Sequence, residues 1–236
     1  MRYYLLIIFI CTQAFADFTV GEMPKELHAQ TKCLNHKFLI SKSKNTKPQA
    51  LFIFLHGIGK RGKEINNLKS MAKLIHKNTS KYNMLTVLPQ CSWADKGKGW
   101  WDSNDLDLLL KHIKNSYKVD SNRIYLSGFS MGGFGVWDWA MASPDTFAAI
   151  APISGGSKNP QVSKIKDLNI WAFHGEKDKT VKFEKSKVLV DELLKLKAEN
   201  VIFTTYPDKA HDIVMPVMKS AELYKWFSEQ SKIINI

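Results

Sequence analysis

The 236-residue chain carries 34 Lys and Arg against 22 Asp and Glu, a net charge of +12, and 44% of its residues are hydrophobic. That length allows one sizeable core, and nothing in the composition calls for two domains. The basic excess invites an anionic partner, but Lys42, Lys44, Lys47, Lys96, Lys98, Lys158, Lys164 and Lys166 are scattered. With no zinc-finger spacing and no aromatic RNA-binding signature, nucleic acid is set aside in favour of a lysine-rich solvated surface.

In chain order, residues 1–16 have the layout of a secretory signal peptide: Arg2, an apolar run over 5–10, and Ala14-Phe15-Ala16 before Asp17. The run is too short for a membrane anchor, and no lipobox surrounds Cys11, so the expectation is an exported protein, secreted or periplasmic. Cys33 and Cys91 remain, as a disulfide pair or as two buried thiols; spacing alone does not choose between them. Residues 17–31 carry no clear pattern. Residues 33–40 read as a strand and 42–48 as a polar turn. The continuous apolar run over 50–55 reads as a strand covered on both faces, as in a parallel sheet. It ends in the glycine-rich stretch His56-Gly57-Ile58-Gly59-Lys60-Arg61-Gly62, and Ile65, Leu68, Met71, Ala72 and Ile75 then follow at helical spacing.

Residues 84–88 are the next strand, closed by Pro89-Gln90-Cys91. The irregular stretch 92–103 carries Trp93, Trp100 and Trp101 and leads to a helix from Asn104. Strand 123–127 runs into Gly128-Phe129-Ser130-Met131-Gly132 and a helix over 134–141. Strands over 147–153, 168–173 and 201–206, and helices over 182–198 and 215–228, complete the pattern. Strands and helices thus alternate from residue 50, which predicts an α/β fold: one domain with a mainly parallel sheet and helices on both faces, the early strands pairing antiparallel at one edge. In such sheets functional groups gather at the carboxyl ends of strands. His56, Gln90, Ser130, Gly155-Gly156, Asp178 and His211 all fall there.

Gly128-Phe129-Ser130-Met131-Gly132 fits G-x-S-x-G between a strand and a helix, the setting of a nucleophile elbow. A serine hydroxyl needs a base to take its proton, and the base needs an acceptor to hold its tautomer. Downstream of Ser130 the histidines are His174 and His211. His211 follows the last strand and is the candidate base; His174 ends its own strand before Gly175 and reads as a turn residue shaping the acid loop. Asp178 is the candidate acid, with Glu176 and Asp208 as alternatives. Backbone N–H groups of Met131 and Ile58 are the candidate oxyanion donors. Gly57, Gly59 and Gly62 also satisfy G-x-G-x-x-G, but a dinucleotide loop wants an acidic residue closing the next strand, and that strand closes in Pro89-Gln90. No cofactor and no metal are expected. Gln90, Trp100 and Trp101 are candidate substrate contacts, the tryptophans as an aromatic wall for a sugar or phenolic ring. Residues 157–167 are too short for a lid domain, which predicts an open site suited to a polymer or a protruding ester.

The stretches 55–62, 88–91 and 123–135, with His174-Gly-Glu-Lys-Asp178, resemble the α/β-hydrolase superfamily. More narrowly, they are similar to the secreted predicted peptidases and esterases related to polyhydroxybutyrate depolymerases, feruloyl esterases and phospholipase/carboxylesterases. The one departure is Asp208-Lys-Ala-His211, which lacks the glycine usual before the family histidine. The resemblance implies a serine hydrolase in which Ser130, Asp178 and His211 form the triad and an ester-bearing small molecule or polymer is the substrate. Peptidase or thioesterase chemistry would use the same triad. A secreted binding protein on this fold would be expected to lack a triad member, and none is missing.

Overall fold

The computed structural model describes residues 17–41, 46–92 and 99–232. The signal-peptide reading, Cys11, Trp93 and residues 42–45 of the polar turn lie outside them. The elements run β1 (Phe18–Glu22), α1 (Lys25–His28), β2 (Leu34–Ser41), β3 (Gln49–Leu55), α2 (Lys69–Thr79), β4 (Met84–Cys91), α3 (Ser103–Ser116), β5 (Val119–Phe129) and α4 (Met131–Ala142). They continue with β6 (Ala149–Ile153), β7 (Asn169–Gly175), α5 (Glu184–Lys195), β8 (Val201–Tyr206), α6 (Val214–Lys219) and α7 (Ala221–Ser228).

β3 and β4 are buried along their whole length, as their largely apolar sequences require. The eight strands form one sheet in the order β1-β2-β4-β3-β5-β6-β7-β8. β1 and β2 join antiparallel at one edge, and β4 through β8 pair parallel. One face packs Leu106, Leu109 and Ile113 of α3, Val136 and Trp139 of α4 and Leu189 of α5. The other packs Ala72 and Ile75 of α2, Val217 of α6 and Leu223 and Phe227 of α7. At about 1.5–3 kcal/mol for each fully buried large apolar side chain, these two layers dominate the energetics. Residues 17–31, patternless in sequence, contribute β1 and the single turn of α1. The helix expected over 215–228 is two, divided at Ser220, whose φ of −64° and ψ of 120° are not helical. Cys33 and Cys91 are both free and buried.

Two buried polar residues fix the loops at the carboxyl ends of β3 and β4. Asp105, 1% exposed, accepts hydrogen bonds from the backbone N–H groups of Lys32, Cys33 and Leu34 at 2.8–3.1 Å, tying the start of β2 to α3. The Nε2 of His56 accepts from the N–H of Cys91 at 3.0 Å, so Nδ1 carries the proton and donates to the Gly57 carbonyl at 2.7 Å. Burial pushes the pKa of His56 down to about 4 and keeps the ring neutral.

Asp105→Ala would leave three inward-facing N–H groups without an acceptor. The expected loss is on the order of 3 kcal/mol or more, read as a fall of several degrees in melting temperature, with Asp105→Asn losing less. For His56, the unfolded chain takes up a proton between pH 6.5 and about 4 that the folded protein refuses. Its contribution to stability is therefore complete above pH 6.5 and shrinks on acidification, by roughly 3 kcal/mol across that window. Urea midpoints measured from pH 4 to 7 should show a shallower pH dependence for His56→Asn than for the wild type.

Candidate active site

Ser130 stands between β5 and α4 with φ 58° and ψ −117°, a backbone that residues with a Cβ rarely adopt. The surroundings impose it. The N–H of Ser130 donates to Ile153 of β6 at 2.9 Å, and its carbonyl starts the helix by accepting from Phe134 at 3.0 Å. The crossing of β3, β5 and α4 behind it is so close that a Cβ on Gly132 would lie 2.0 Å from the Leu55 carbonyl oxygen. Glycine is the residue that fits there.

His211 is brought to Ser130 by the turn after β8. Its Nε2 lies 2.8 Å from the Ser130 Oγ, and its Nδ1 lies 2.7 Å from Oδ2 of Asp178. The backbone of that turn is held from the Asp178 loop by Lys177 N–H to the Lys209 carbonyl, and from the end of β6 by Ser154 Oγ donating to the His211 carbonyl at 3.2 Å. The Phe129 ring packs on the imidazole with centroids 4.9 Å apart. The Asp178 side chain is wholly shielded from solvent, whereas that of His211 is 21% exposed. A buried carboxylate needs donors: Oδ1 receives the N–H groups of Thr180 at 2.8 Å and Val181 at 2.9 Å. The other two acids are engaged elsewhere. Glu176 accepts from the Thr205 hydroxyl at 2.7 Å, and Asp208 pairs with Lys177 at 2.8 Å on the open surface.

Met131 is the first residue of α4 and Ile58 the first of a 3₁₀ turn at Ile58–Lys60, so neither N–H has a partner within its own helix. The turn that carries Ile58 approaches Ser130 closely: a Cβ built on Gly57 would lie 3.5 Å from that of Ser130. The Gly57 carbonyl that His56 holds belongs to the same peptide unit as the Ile58 N–H, so the His56 ring sets the direction of that donor.

Two sequence expectations are corrected. Gln90 is fully buried and faces the protein, not a ligand. Its Oε1 accepts from Asn35 at 2.7 Å, and its Nε2 donates to the carbonyls of Lys60 and Glu64. Trp101 is 6% exposed; its ring lies over Gly135 and its Nε1 donates to the His56 carbonyl at 3.1 Å, so it is a buried strut. Trp100 is half-buried, with its ring edge-on to Phe134 and the Lys158 Nζ 4.0 Å from its centroid. The sequence also understated His174, which is fully buried with Nε2 3.3 Å from the Asp178 carboxylate. Its place before Gly175 and four residues from Asp178 was the available signal. Among the described residues, no group of three or more His, Cys, Asp or Glu is disposed to hold a metal.

A family model described as phospholipase/carboxylesterase matches residues 102–226, the span from the N-terminus of α3 through Ser130, Asp178 and His211 into α7. Acyl-protein thioesterase 1 homolog 2 of Dictyostelium discoideum is 29% identical over 198 residues, covering 72% of this chain and 88% of its own. The bifunctional acetylxylan esterase/xylanase XynS20E of Neocallimastix patriciarum is 29% identical over 87 residues, 37% of this chain and 13% of that protein. Among solved structures, a thermostable esterase superposes with a TM-score of 0.74 at 28% identity, over 92% of this chain and 64% of that one. The α/β sheet, the elbow geometry and these matches agree: the chain belongs to the phospholipase/carboxylesterase family of α/β-hydrolases and is a serine hydrolase.

Proposed function

We propose that the protein hydrolyses carboxylic esters with Ser130 as nucleophile, His211 as general base and acid, and Asp178 as the acceptor that orients His211. The observation that carries this reading is the unbroken chain from Ser130 Oγ to His211 Nε2, 2.8 Å, and from His211 Nδ1 to Asp178 Oδ2, 2.7 Å. His211 takes the Ser130 proton as Oγ attacks the ester carbonyl carbon. The N–H groups of Ile58 and Met131 receive the developing oxyanion. Collapse of the intermediate expels the alcohol with the proton held by His211 and leaves an acyl-Ser130. Water, deprotonated by the same Nε2, releases the acid and restores Ser130. Asp178 accepts from Nδ1–H throughout and stabilises the imidazolium that forms twice in the cycle.

Substrate access supports an ester on a polymer or a protruding group. Residues 154–168, between β6 and β7, contain one 3₁₀ turn, Val162–Ile165, and no inserted subdomain. A second reading, thioester hydrolysis, is favoured by the acyl-protein thioesterase that aligns over 72% of the chain. The layout of residues 1–16 supports export, with the mature chain beginning at Asp17.

A fluorophosphonate should label the wild-type protein stoichiometrically and leave Ser130→Ala unlabelled; an unlabelled wild type would end the hydrolase mechanism. Asp178→Asn should keep the fold and lower kcat by about 10⁴-fold, because the amide presents the wrong partner to Nδ1. Matched p-nitrophenyl esters, feruloyl esters and acyl thioesters decide between the two readings, with the oxygen esters expected to give the higher kcat/KM. Rates should rise smoothly with ester concentration, and a jump on passing into droplets or micelles would contradict an uncovered site.

A further inference from the structure

We infer that His174 is a positioning residue for the proposed triad, a second histidine on the far side of the Asp178 carboxylate that sets its orientation and basicity. The inference rests on the reading of Asp178 as the triad acid. The Nε2–H of His174 donates to the Val181 carbonyl at 2.9 Å, so that nitrogen carries the proton, and the same edge of the ring stands 3.3 Å from Oδ2 of Asp178, a weaker polar contact beside the main bond. Oδ2 is also the atom that receives Nδ1–H of His211. One oxygen therefore lies between two imidazoles, while the other holds the N–H groups of Thr180 and Val181.

His174 is itself held from behind. Its Nδ1 lies 2.7 Å from the Ser186 hydroxyl on α5, which also lies 3.0 Å from the Gly155 carbonyl after β6. The Phe183 ring closes on it edge-on at 5.8 Å. Burial holds the pKa of His174 below the ordinary imidazole value, which keeps the ring a neutral donor. A cation at this position would compete with the imidazolium of His211 for the same oxygen; a neutral donor steadies the carboxylate without cancelling its charge. The groups facing Oδ2 are thus His174 and His211, and the nearby charges of Glu176, Lys177 and Asp208 are turned outward to other partners.

Removing the Nε2 donor leaves Asp178 less restrained and more basic, so His211 should hold its proton more tightly. The test measures kcat, KM and the pH dependence of kcat/KM for His174→Met, His174→Gln and His174→Asn. Circular dichroism checks folding, and fluorophosphonate titration counts competent sites. His174→Met should lose between about 10- and 100-fold in kcat with KM little changed, through misplacement of the Asp178–His211 pair. Its acid limb should move to higher pH by up to about half a unit, as expected for the loss of one weak polar contact to the carboxylate. The Gln amide nitrogen falls near the Nε2 position and should restore both rate and limb. The Asn amide nitrogen stops near Nδ1 and should restore neither. Should His174→Met fail to fold, the contrast of Gln with Asn carries the same test. A folded His174→Met with wild-type kcat and pH profile overturns the inference, as does a loss that Gln and Asn share with an unmoved limb. A wild type that fluorophosphonate does not label overturns the triad reading instead, and the inference with it.

Discussion

The site depends on one backbone constraint, the positive φ of Ser130. An L-residue at φ 58° and ψ −117° costs of order 1–3 kcal/mol, and it persists only where the neighbours leave the chain no other path. Here they do so through ordinary elements. β5 delivers Ser130 at its carboxyl end, α4 must begin at the next residue, and the N–H of Ser130 is taken by β6. The helix is apolar almost all round, so it cannot swing outward to relieve the turn without exposing Val136, Trp137 and Trp139. The same packing that strains the serine points its hydroxyl at the end of the sheet where His211 arrives.

The partners of Ser130 come from loops, and each loop is fastened by satisfied hydrogen bonds. His56 ties the turn after β3 to the end of β4, Asp105 ties the entry of β2 to α3, and the turns after β7 and β8 are cross-linked by Lys177 N–H to Lys209 and Glu176 N–H to Tyr206. His56 and, behind Asp178, His174 are imidazoles that burial keeps neutral. A neutral ring can donate from one nitrogen and accept at the other, joining two strands without bringing a charge next to the place where an oxyanion or an imidazolium must form. Lysine or arginine in either position would add a permanent positive field there.

The parallel part of the fold was legible because its strands are continuous apolar runs and its helices carry a 3.6-residue stripe. The site was legible because each functional group closes one of those strands. Residues 17–31 were not: β1 is a half-exposed edge strand with an irregular burial pattern, and α1 buries no side chain, so neither leaves a hydrophobic period. The break at Ser220 escaped notice because the apolar spacing continues across it from Met218 to Leu223. Gln90 and Trp101 look like ligand contacts from their position at strand ends, yet both spend their polar atoms on the protein. Sequence marks the end of the sheet where such groups sit; which of them turn inward is decided by hydrogen bonds between residues distant in the chain, such as Asn35 to Gln90.

That distinction also narrows where substrate preference can reside. His56, Gln90 and Trp101 are committed to holding the loop after β3, and Arg61 from the same loop donates to the Gly99 carbonyl at 2.8 Å. None has a free face to offer. Among the described residues, Ile58 keeps a side chain that is 49% exposed beside that loop, and Phe134, Trp100 and Lys158 form a set joined by ring and ammonium contacts. The indole N–H of Trp100 is buried with no hydrogen-bond partner among the described residues, and the Lys158 ammonium lies over its ring. The reacting atoms treat an oxygen ester and a thioester alike, because the Ser130–His211–Asp178 chain contacts only the carbonyl and the leaving atom. Under the proposed mechanism, discrimination among acyl and leaving groups would fall to side chains outside that chain, and a ring with an ammonium over it is one place where a planar or anionic group would gain contacts that an aliphatic chain would not.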